Sequence, residues 1–195
     1  MNGAWILGGN PQDERVKNDW YATNPEAVRK LLNVESFNMK NILEPCVGGG
    51  HIANVLKEYS MENVTVIDVV DRGYEGTIVT DFLNWKPDKE YDTIITNPPY
   101  GLASEFVKKC IDVLSQDGKL AMFLKIQFLE GLKRKELFDK FPPKYIYVFR
   151  KRMQIFNEGI EFNPKTGKRW SSLLCNAWYI WDKKCNTEPI IRWID

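Results

Sequence analysis

The segment ILEPCVGGGHIANVL, residues 42–56, has the order of an apolar strand, a glycine-rich turn and a helix. Its three consecutive glycines, Gly48, Gly49 and Gly50, allow a tight turn and let a ligand approach the backbone closely. The helix that follows offers unpaired N–H groups and the positive end of its dipole. About 20 residues beyond the loop, the next apolar run ends at Asp68, where a carboxylate can bind the hydroxyls of a ribose. The segment therefore predicts a nucleoside-binding loop in an α/β protein.

The glycine loop differs from two common nucleotide-binding loops. Residues 47–50, VGGG, do not place glycines in the G-x-G-x-x-G register, and no G-K-[ST] follows, which excludes a P-loop. Glu44 ends the strand before the loop, where the amino group of a ligand can lie. A contact with the neighbouring helix or turn is the alternative role for this carboxylate.

Short apolar runs alternate with helical segments along the chain. Helices are predicted after Asn24, which can cap a helix beginning at Pro25, and at 50–59, 104–114 and 133–141. Strands are predicted at 41–44, 64–69, 77–80, 91–96, 119–125, 144–150 and 174–181. This alternation predicts a mainly parallel seven-stranded sheet covered on both faces by helices. The last two strands have no helix between them, so we expect them to pair antiparallel.

Two segments lie outside this alternation. Residues 1–20 are rich in Gly, Asn and Asp and predict an extended N-terminal arm. Residues 151–172 predict a loop of about 20 residues, a length that usually indicates a functional or disordered segment. The chain has 195 residues, so a single domain spanning 1–195 is expected.

The composition excludes several classes of protein. A formal net charge of +1 means that any nucleic-acid binding must come from a local patch. The four cysteines form no C-x-x-C pair and there is a single histidine, so no metal site is expected. Reduced thiols in a cytoplasmic protein are the expected state. No apolar run reaches the length of a membrane span, and the N-terminus has no signal-peptide pattern.

A second informative stretch is TNPPYG, Thr96 to Gly101, which directly follows the apolar run at 91–95. Asn-Pro readily starts a turn, so a proline-rich turn without further function is the alternative reading. This turn, however, follows a strand at the carboxyl edge of the predicted sheet, where doubly wound folds bind their ligands. Its position relative to the glycine loop favours a functional role.

NPPY after a strand, preceded in the chain by EPCVGGG, resembles the amino-methyltransferases that use S-adenosylmethionine, whose signature is (N/D/S)-PP-(Y/F/W). DWYATNPEAVRKLL, VIDVVDRG and TDFLNW resemble segments of the adenine-specific DNA methyltransferases, and CNAWYIWDK is similar to the final strand of small phage or prophage members. The resemblance runs from Trp20 to Trp181. It implies a Rossmann-like class I methyltransferase fold with an antiparallel last strand, and S-adenosylmethionine as cofactor.

The resemblance also implies roles for individual residues. Asp68 is expected at the ribose of the cofactor, Asp81 at its adenine amine and Phe82 against its adenine ring. The full cofactor-binding set is Tyr21, Thr23, Pro25, Glu44, Pro45, Gly48, Gly50, Asp68, Asp81, Phe82 and Asn97. The catalytic set is Asn97, Pro98, Pro99 and Tyr100.

The chemistry of amine methylation explains the residue types in NPPY. An amine on an aromatic ring is a poor nucleophile, and two hydrogen-bond acceptors on its protons stabilise the positive charge that forms during transfer. The side-chain oxygen of Asn97 can be one acceptor, and the carbonyl of Pro98, held in direction by consecutive prolines, can be the other. Tyr100 offers a flat face for the base, a contact worth about 1–3 kcal/mol.

The signature leaves three substrates open: adenine in DNA, adenine in RNA, and the side-chain amide of glutamine in a protein. Protein-glutamine enzymes of this kind usually carry a separate N-terminal helical domain, and the DWYATNP segment points to DNA. In duplex DNA the target base must leave the stack to reach such a site. A non-catalytic cofactor-binding regulatory or assembly subunit is a further alternative, although decayed copies usually lose the tetrapeptide that is intact in this chain.

A DNA-binding role is predicted for the loop at 151–172 and the residues that enter it. Basic side chains beside the aromatic Trp170 suit contacts with phosphates and bases, while a solvated basic loop is the alternative. The predicted DNA-binding residues are Tyr100, Arg150, Lys151, Arg152, Lys168 and Arg169. So short a recognition element suggests a short or relaxed target site, or help from a second subunit in a homodimer.

Overall fold

A computed structural model describes residues 21–59, 63–153, 155–157, 162, 167 and 175–195. The predicted arm at 1–20 and two of the predicted DNA-binding residues, Lys168 and Arg169, lie outside the described residues.

Ten strands and four α-helices follow one another through these described segments. The strands are β1 (Tyr21–Thr23), β2 (Ile42–Glu44), β3 (Val64–Asp68), β4 (Ile78–Val79), β5 (Tyr91–Thr96), β6 (Leu114–Lys125), β7 (Tyr145–Phe149), β8 (Ile155–Asn157), β9 (Asn176–Asp182) and β10 (Ile190–Ile194). The helices are α1 (Pro25–Val34), α2 (His51–Glu58), α3 (Ala103–Val113) and α4 (Lys135–Lys140), with 3₁₀ turns at Tyr100–Leu102, Ile126–Leu129 and Leu132–Arg134.

Eight of the strands form one sheet in the order β10-β7-β9-β6-β5-β2-β3-β4. Strand β9 runs antiparallel to both of its neighbours, β6 and β7, and the other pairings in this sheet are parallel. The mainly parallel α/β fold and the antiparallel pairing of the two predicted strands are thereby confirmed. One detail differs from the prediction: an eighth strand, β10, follows β9 in the chain and extends the sheet beyond β7, so the antiparallel strand is not the last.

Helices cover the two faces of the sheet. Buried side chains of α1 and α2, among them Leu31 and Leu56, pack on one face. Buried side chains of α3 and α4, among them Val107 and Leu137, pack on the other. The result is the three-layer arrangement that parallel sheets require, because both faces of their strands are apolar.

Helix α1 begins as the sequence predicts. The Asn24 side chain accepts a hydrogen bond from the Glu26 N–H at 2.9 Å, and Pro25 occupies the first turn. At its inner face, the Trp178 Nε1–H of β9 donates to the Ala27 carbonyl at 2.9 Å. This buried contact fixes the start of α1 over the centre of the sheet.

The carboxyl ends of the parallel strands meet at one edge of the sheet, which we call the ligand edge. Strands β2, β3 and β5 end there at Glu44, Asp68 and Thr96. Because β9 runs in the opposite direction, its first residue, Asn176, lies at this edge beside Lys125, the last residue of β6. The order of the chain reverses between β2 and β5, and such a switch point is where doubly wound folds bind ligands.

A two-stranded ribbon is separate from the main sheet. Strands β1 and β8 pair antiparallel, with Tyr21 opposite Asn157 and Thr23 opposite Ile155. The segment predicted as one continuous loop at 151–172 therefore contains a short strand. None of the described helices is both long enough and apolar enough to cross a lipid bilayer.

Candidate active site

The glycine loop is tied to the end of β3 by the Asp68 carboxylate. The Gly48 N–H donates to Asp68 Oδ2 at 2.8 Å, and the Val70 N–H donates to Asp68 Oδ1 at 3.0 Å. Gly48 and Gly50 have φ values of 53° and 79°, a left-handed conformation that glycine adopts without strain. Because a carboxylate offers about four acceptor positions, Asp68 retains acceptor capacity for the hydroxyls of a ligand.

Gly50 is also constrained by a close neighbour. A Cβ atom at this position would lie 2.0 Å from Cδ2 of Tyr74, so the tyrosine ring packs directly on the backbone that starts α2. Lys57, on α2, places its ammonium 5.1 Å from the centroid of the same ring. Sequence reasoning missed Tyr74, which lies in the irregular segment between β3 and β4 and belongs to no motif.

Glu44 is buried beneath this loop. Its side chain is 1% exposed, and one oxygen accepts a hydrogen bond from the backbone N–H of Ala53 in the first turn of α2. The other oxygen, Oε2, has no hydrogen-bond partner among the described residues. Burial raises the pKa of Glu44 well above its ordinary value, and the nearby negative charge of Asp68 adds to the shift. The helix contact considered as an alternative is therefore present, and one acceptor remains for a cationic partner.

The amide of Asn97 is fixed in orientation by β1. Its Nδ2 donates to the carbonyl oxygen of Tyr21 at 2.8 Å, so its oxygen, Oδ1, is left as an acceptor at the ligand edge. Pro98 is buried and Pro99 is exposed. The Pro99 carbonyl accepts the Leu102 N–H at 2.9 Å, which closes the turn into α3.

Tyr100 lies half-buried beside this amide. Its ring is nearly parallel to that of Tyr21, at 13° and 6.5 Å between centroids, and the ammonium of Lys125 lies 4.5 Å from its centroid. Burial raises the pKa of the Tyr100 hydroxyl, and the neighbouring hydroxyl of Tyr21 contributes, so Tyr100 is a neutral hydrogen-bond donor. That hydroxyl lies 3.5 Å from Oδ1 of Asn176. The pattern in the sequence did not indicate Lys125 or Asn176.

Other residues of the predicted cofactor set line the same edge in different ways. Thr23 is 2% exposed, and its hydroxyl oxygen has no hydrogen-bond partner among the described residues. Asp81 accepts from the Leu83 N–H at 3.0 Å and from Asn84 Nδ2 at 2.6 Å, so its carboxylate caps the turn after β4. Phe82 is 2% exposed and packs on Phe106, with centroids 5.3 Å apart. Their contacts with a cofactor stay predictions, as do those of Pro25 and the buried Pro45.

The basic residues after β7 lie at the ligand edge, since β7 is parallel to β6. Arg150, Lys151 and Arg152 are all exposed. Arg150 forms an ion pair with Asp195 at 3.2 Å and lies 5.9 Å from the ring centroid of Trp193, so β10 partly neutralises and orients it. In the described part of the chain, no group of three or more His, Cys, Asp and Glu side chains could hold a metal ion.

Solved structures with the same arrangement include several methyltransferases. A predicted O-methyltransferase from Agrobacterium tumefaciens superposes with a TM-score of 0.61 at 13% identity, covering 87% of this chain and 85% of that one. A type I restriction-modification system methyltransferase subunit from Streptococcus thermophilus gives a TM-score of 0.59 at 15% identity, covering 90% of this chain and 48% of that one. The chain has the class I methyltransferase fold.

Two curated relatives also match this chain in sequence. The type II methyltransferase M.CvrRI of Paramecium bursaria Chlorella virus XZ-6E is 30% identical, over 55% of this chain and 36% of its own length. The type II methyltransferase M.TthHB8I of Thermus thermophilus is 30% identical, over 48% of this chain and 24% of its own length. The chain thus spans about a third or less of these relatives. No protein-family model matches it. These two type II methyltransferases support the predicted resemblance to the adenine-specific DNA methyltransferases.

We predict that Gly50→Ala destabilises the protein more than Gly76→Ala. Both residues have φ near 80°, so each alanine costs about 1–2 kcal/mol of backbone strain, but nothing lies within 4 Å of a Cβ at Gly76. At Gly50 the methyl group would overlap the Tyr74 ring, which adds about 1–3 kcal/mol. Urea unfolding of both variants measures the difference. Equal losses of unfolding free energy in the two variants would contradict the close packing of Tyr74 on Gly50. Tyr74→Ala in the Gly50→Ala background should remove the additional loss that is caused by the overlap with the ring.

We predict that Glu44→Gln changes the pH dependence of stability. A carboxyl whose folded pKa is raised binds its proton more tightly in the folded state, so stability falls as the pH rises from the unfolded pKa through the folded one. The neutral amide removes this loss while keeping the acceptor for Ala53. The melting temperature of Glu44→Gln should therefore rise relative to that of the wild type as the pH increases from 5 to 9. The expected shift is about 2–4 °C for each kcal/mol of unfolding free energy. The exposed Glu75→Gln is the control, and parallel curves for Glu44→Gln and wild type would disprove the prediction.

Proposed function

We propose that this protein is an S-adenosylmethionine-dependent methyltransferase that acts on the exocyclic N6 amine of adenine in DNA. The observation that carries the proposal is the orientation of Asn97. Its N–H group is committed to the Tyr21 carbonyl at 2.8 Å, which leaves an acceptor oxygen at the switch point of the sheet, and the Tyr21 ring lies nearly parallel to the ring of Tyr100. An acceptor beside a flat ring is what the methylation of an aromatic amine needs.

The residues at the ligand edge fit S-adenosylmethionine. The unpaired Oε2 of buried Glu44 suits the ammonium group of its methionine end, and Asp68 has acceptors for its ribose hydroxyls. The tight glycine backbone at Gly48 and Gly50 admits a ligand against the main chain. When bound, the cofactor supplies a methyl group on a positively charged sulfur.

The protein residues stabilise charge on the target amine without removing a proton in advance. The Asn97 oxygen accepts one amine proton and the Pro98 carbonyl accepts the other, which favours a more tetrahedral nitrogen as it gains positive charge. Tyr100 stacks on the base and fixes the direction of the amine. Correct positioning of the amine accounts for most of the rate enhancement, because methyl transfer from a sulfonium does not need a strong base. This agrees with a site in which the named residues include no histidine or metal ligand.

DNA is favoured as the substrate by two observations. The chain is similar in sequence to two type II methyltransferases over about half of its length, and in fold to a type I restriction-modification methyltransferase subunit over 90% of its length. Exposed basic side chains at Arg150, Lys151 and Arg152 lie at the ligand edge, where they can contact phosphates beside a base that has left the duplex. The loop that continues from them is the proposed recognition element, with Lys168 and Arg169.

Methylation of adenine in RNA or of glutamine in a protein uses the same acceptors, so both stay as alternative substrates. A cofactor-binding subunit without turnover is the alternative of another class. The proposal includes neither an oligomeric state nor a recognition sequence, and it does not require a restriction partner.

The test of the function is transfer of a radiolabelled methyl group to separate pools of DNA, RNA and protein. Label should enter DNA at N6 of adenine, and Asn97→Ala should reduce the rate about 100- to 1,000-fold, as loss of a transition-state hydrogen bond does. Asn54→Ala, at an exposed position of α2, is the matched control and should retain full activity. Label that enters only RNA or only protein would contradict DNA as the substrate and favour that alternative. Cofactor binding without any methyl transfer would favour a non-catalytic subunit.

Removing the charges of Arg150, Lys151, Arg152, Lys168 and Arg169 should weaken DNA binding and flatten its dependence on salt. The logarithm of the binding constant falls linearly with the logarithm of the salt concentration, and each lost phosphate contact in duplex DNA reduces the magnitude of this slope by about 0.9. The control replaces Lys40, Lys89 and Lys184, which lie near the opposite edge of the sheet. Titrations over a range of salt concentrations measure both slopes, and an unchanged slope in the first variant would refute the role of these residues.

A further inference from the structure

Asn176 is a polar residue in an apolar part of the core at the ligand edge. It begins β9, is 5% exposed, and lies opposite Lys125 of β6 in the sheet register. The residues that follow it, Ala177, Trp178 and Tyr179, are fully buried. A buried amide at such a position lowers stability unless its donors and acceptor are paired.

Neither end of this amide is well paired in the described structure. Its Nδ2 has no hydrogen-bond partner among the described residues. Its Oδ1 lies 3.5 Å from the Tyr100 hydroxyl, well beyond the 2.7–2.8 Å that is usual for an O–H···O bond. A residue needed only to hold Tyr100 in place would make a shorter contact, and a residue needed only to fill the core would be apolar.

The neighbours of Asn176 place it beside the residues proposed to hold the target base. Tyr100, whose ring is the proposed platform for the base, and Lys125, whose ammonium lies 4.5 Å from that ring, both border it. The Asn97 oxygen and the Pro98 carbonyl take the two protons of the target amine in the proposed mechanism. The atoms of adenine that lie next to the amine and still need a partner are its ring nitrogens N1 and N7, which are both acceptors.

We propose that the Asn176 side chain donates a hydrogen bond from Nδ2 to a ring nitrogen of the target adenine, and that it is a specificity-determining residue of this site. This inference rests on the proposed function, because it requires a purine held on Tyr100. An amide donor favours a base with a ring acceptor beside its amine and opposes one that carries a hydrogen there, as N1 of guanine does. Asn176 comes to lie at the ligand edge because β9 pairs antiparallel with β6.

The experiment pairs a change in the protein with a change in a single atom of the base. Duplex oligonucleotides contain the mapped target site with adenine, 1-deazaadenine or 7-deazaadenine at the methylated position, so that N1 or N7 is replaced by C–H. Wild type, Asn176→Ala and Asn176→Asp are compared by single-turnover methyl transfer. Asn176→Asp keeps the shape of the side chain but removes the donor, so loss of packing does not explain a shared effect.

On adenine, both variants should transfer the methyl group about 10- to 100-fold more slowly than wild type, the range of a lost base contact. On the one analogue that lacks the bonded nitrogen, wild type and variants should agree within about twofold, because the contact is already gone. On the other analogue the variants should remain slower than wild type. Thermal unfolding and cofactor binding of each variant verify that the fold and the rest of the site are intact.

Two outcomes would overturn the inference. Equal losses on adenine and on both analogues would mean that Asn176 acts through Tyr100 or through packing, and unchanged rates on adenine would mean that it has no role. If the wild type methylates none of these duplexes, the proposed function itself is contradicted. The radiolabel experiment on DNA, RNA and protein tests that function independently of Asn176.

Discussion

The Asp68 carboxylate ties the glycine loop to the end of β3 at the ligand edge, accepting the Gly48 N–H at 2.8 Å through one oxygen and the Val70 N–H at 3.0 Å through the other. The glycine loop belongs to the β2–α2 connection and Asp68 to the end of β3, so this side chain ties the loop to a neighbouring strand that already pairs with β2 in the sheet. The start of α2, with Gly50 under the Tyr74 ring, depends on that position. The acceptors that surround the proposed cofactor are therefore set before any ligand arrives, and preorganised dipoles of this kind are what make such sites effective.

Several buried polar atoms lack partners at this edge, and they come from different strands. Thr23 Oγ1, Glu44 Oε2 and Asn176 Nδ2 are all unpaired among the described residues. Buried unpaired polar groups are rare because each lowers stability. Their presence near one edge, while the apolar cores on both faces of the sheet are well packed, is the pattern expected where a polar ligand completes the hydrogen bonding. Stability and ligand binding oppose each other at these three positions.

Much of the fold could be predicted from local sequence patterns because buried strands and amphipathic helices have distinct periods. All seven predicted strands are present, and Asn24 caps α1 as expected. Strand β10 was missed because it has no burial signal: Ile190, Ile191 and Trp193 are about half or more exposed, and only Ile194 is buried. The β1–β8 ribbon was missed because three-residue strands carry too few side chains for a period to appear.

Candidate site residues could be predicted where they lie in contiguous sequence motifs. They could not be predicted where they meet only through the register between two strands. Gly48, Asn97 and Tyr100 follow strand ends that the sequence marks with glycine or proline, and Asp68 is the last residue of β3. Asn176 comes beside Tyr100 only because β9 enters the sheet antiparallel to β6, 76 positions later in the chain. No local pattern encodes that neighbour, and the same is true of Lys125 over the Tyr100 ring.

The ribbon has a consequence for the orientation of the Asn97 side chain. Tyr21 is paired with Asn157 through β1 and β8, and the same Tyr21 supplies the carbonyl that orients the Asn97 amide. Only a few residues separate β8 from the cationic stretch at Arg150 to Arg152. The orientation of the Asn97 amide therefore depends on where the ribbon holds the backbone of Tyr21. A segment distant from the NPPY turn in the chain, β8, thus contributes to the direction of its acceptor oxygen.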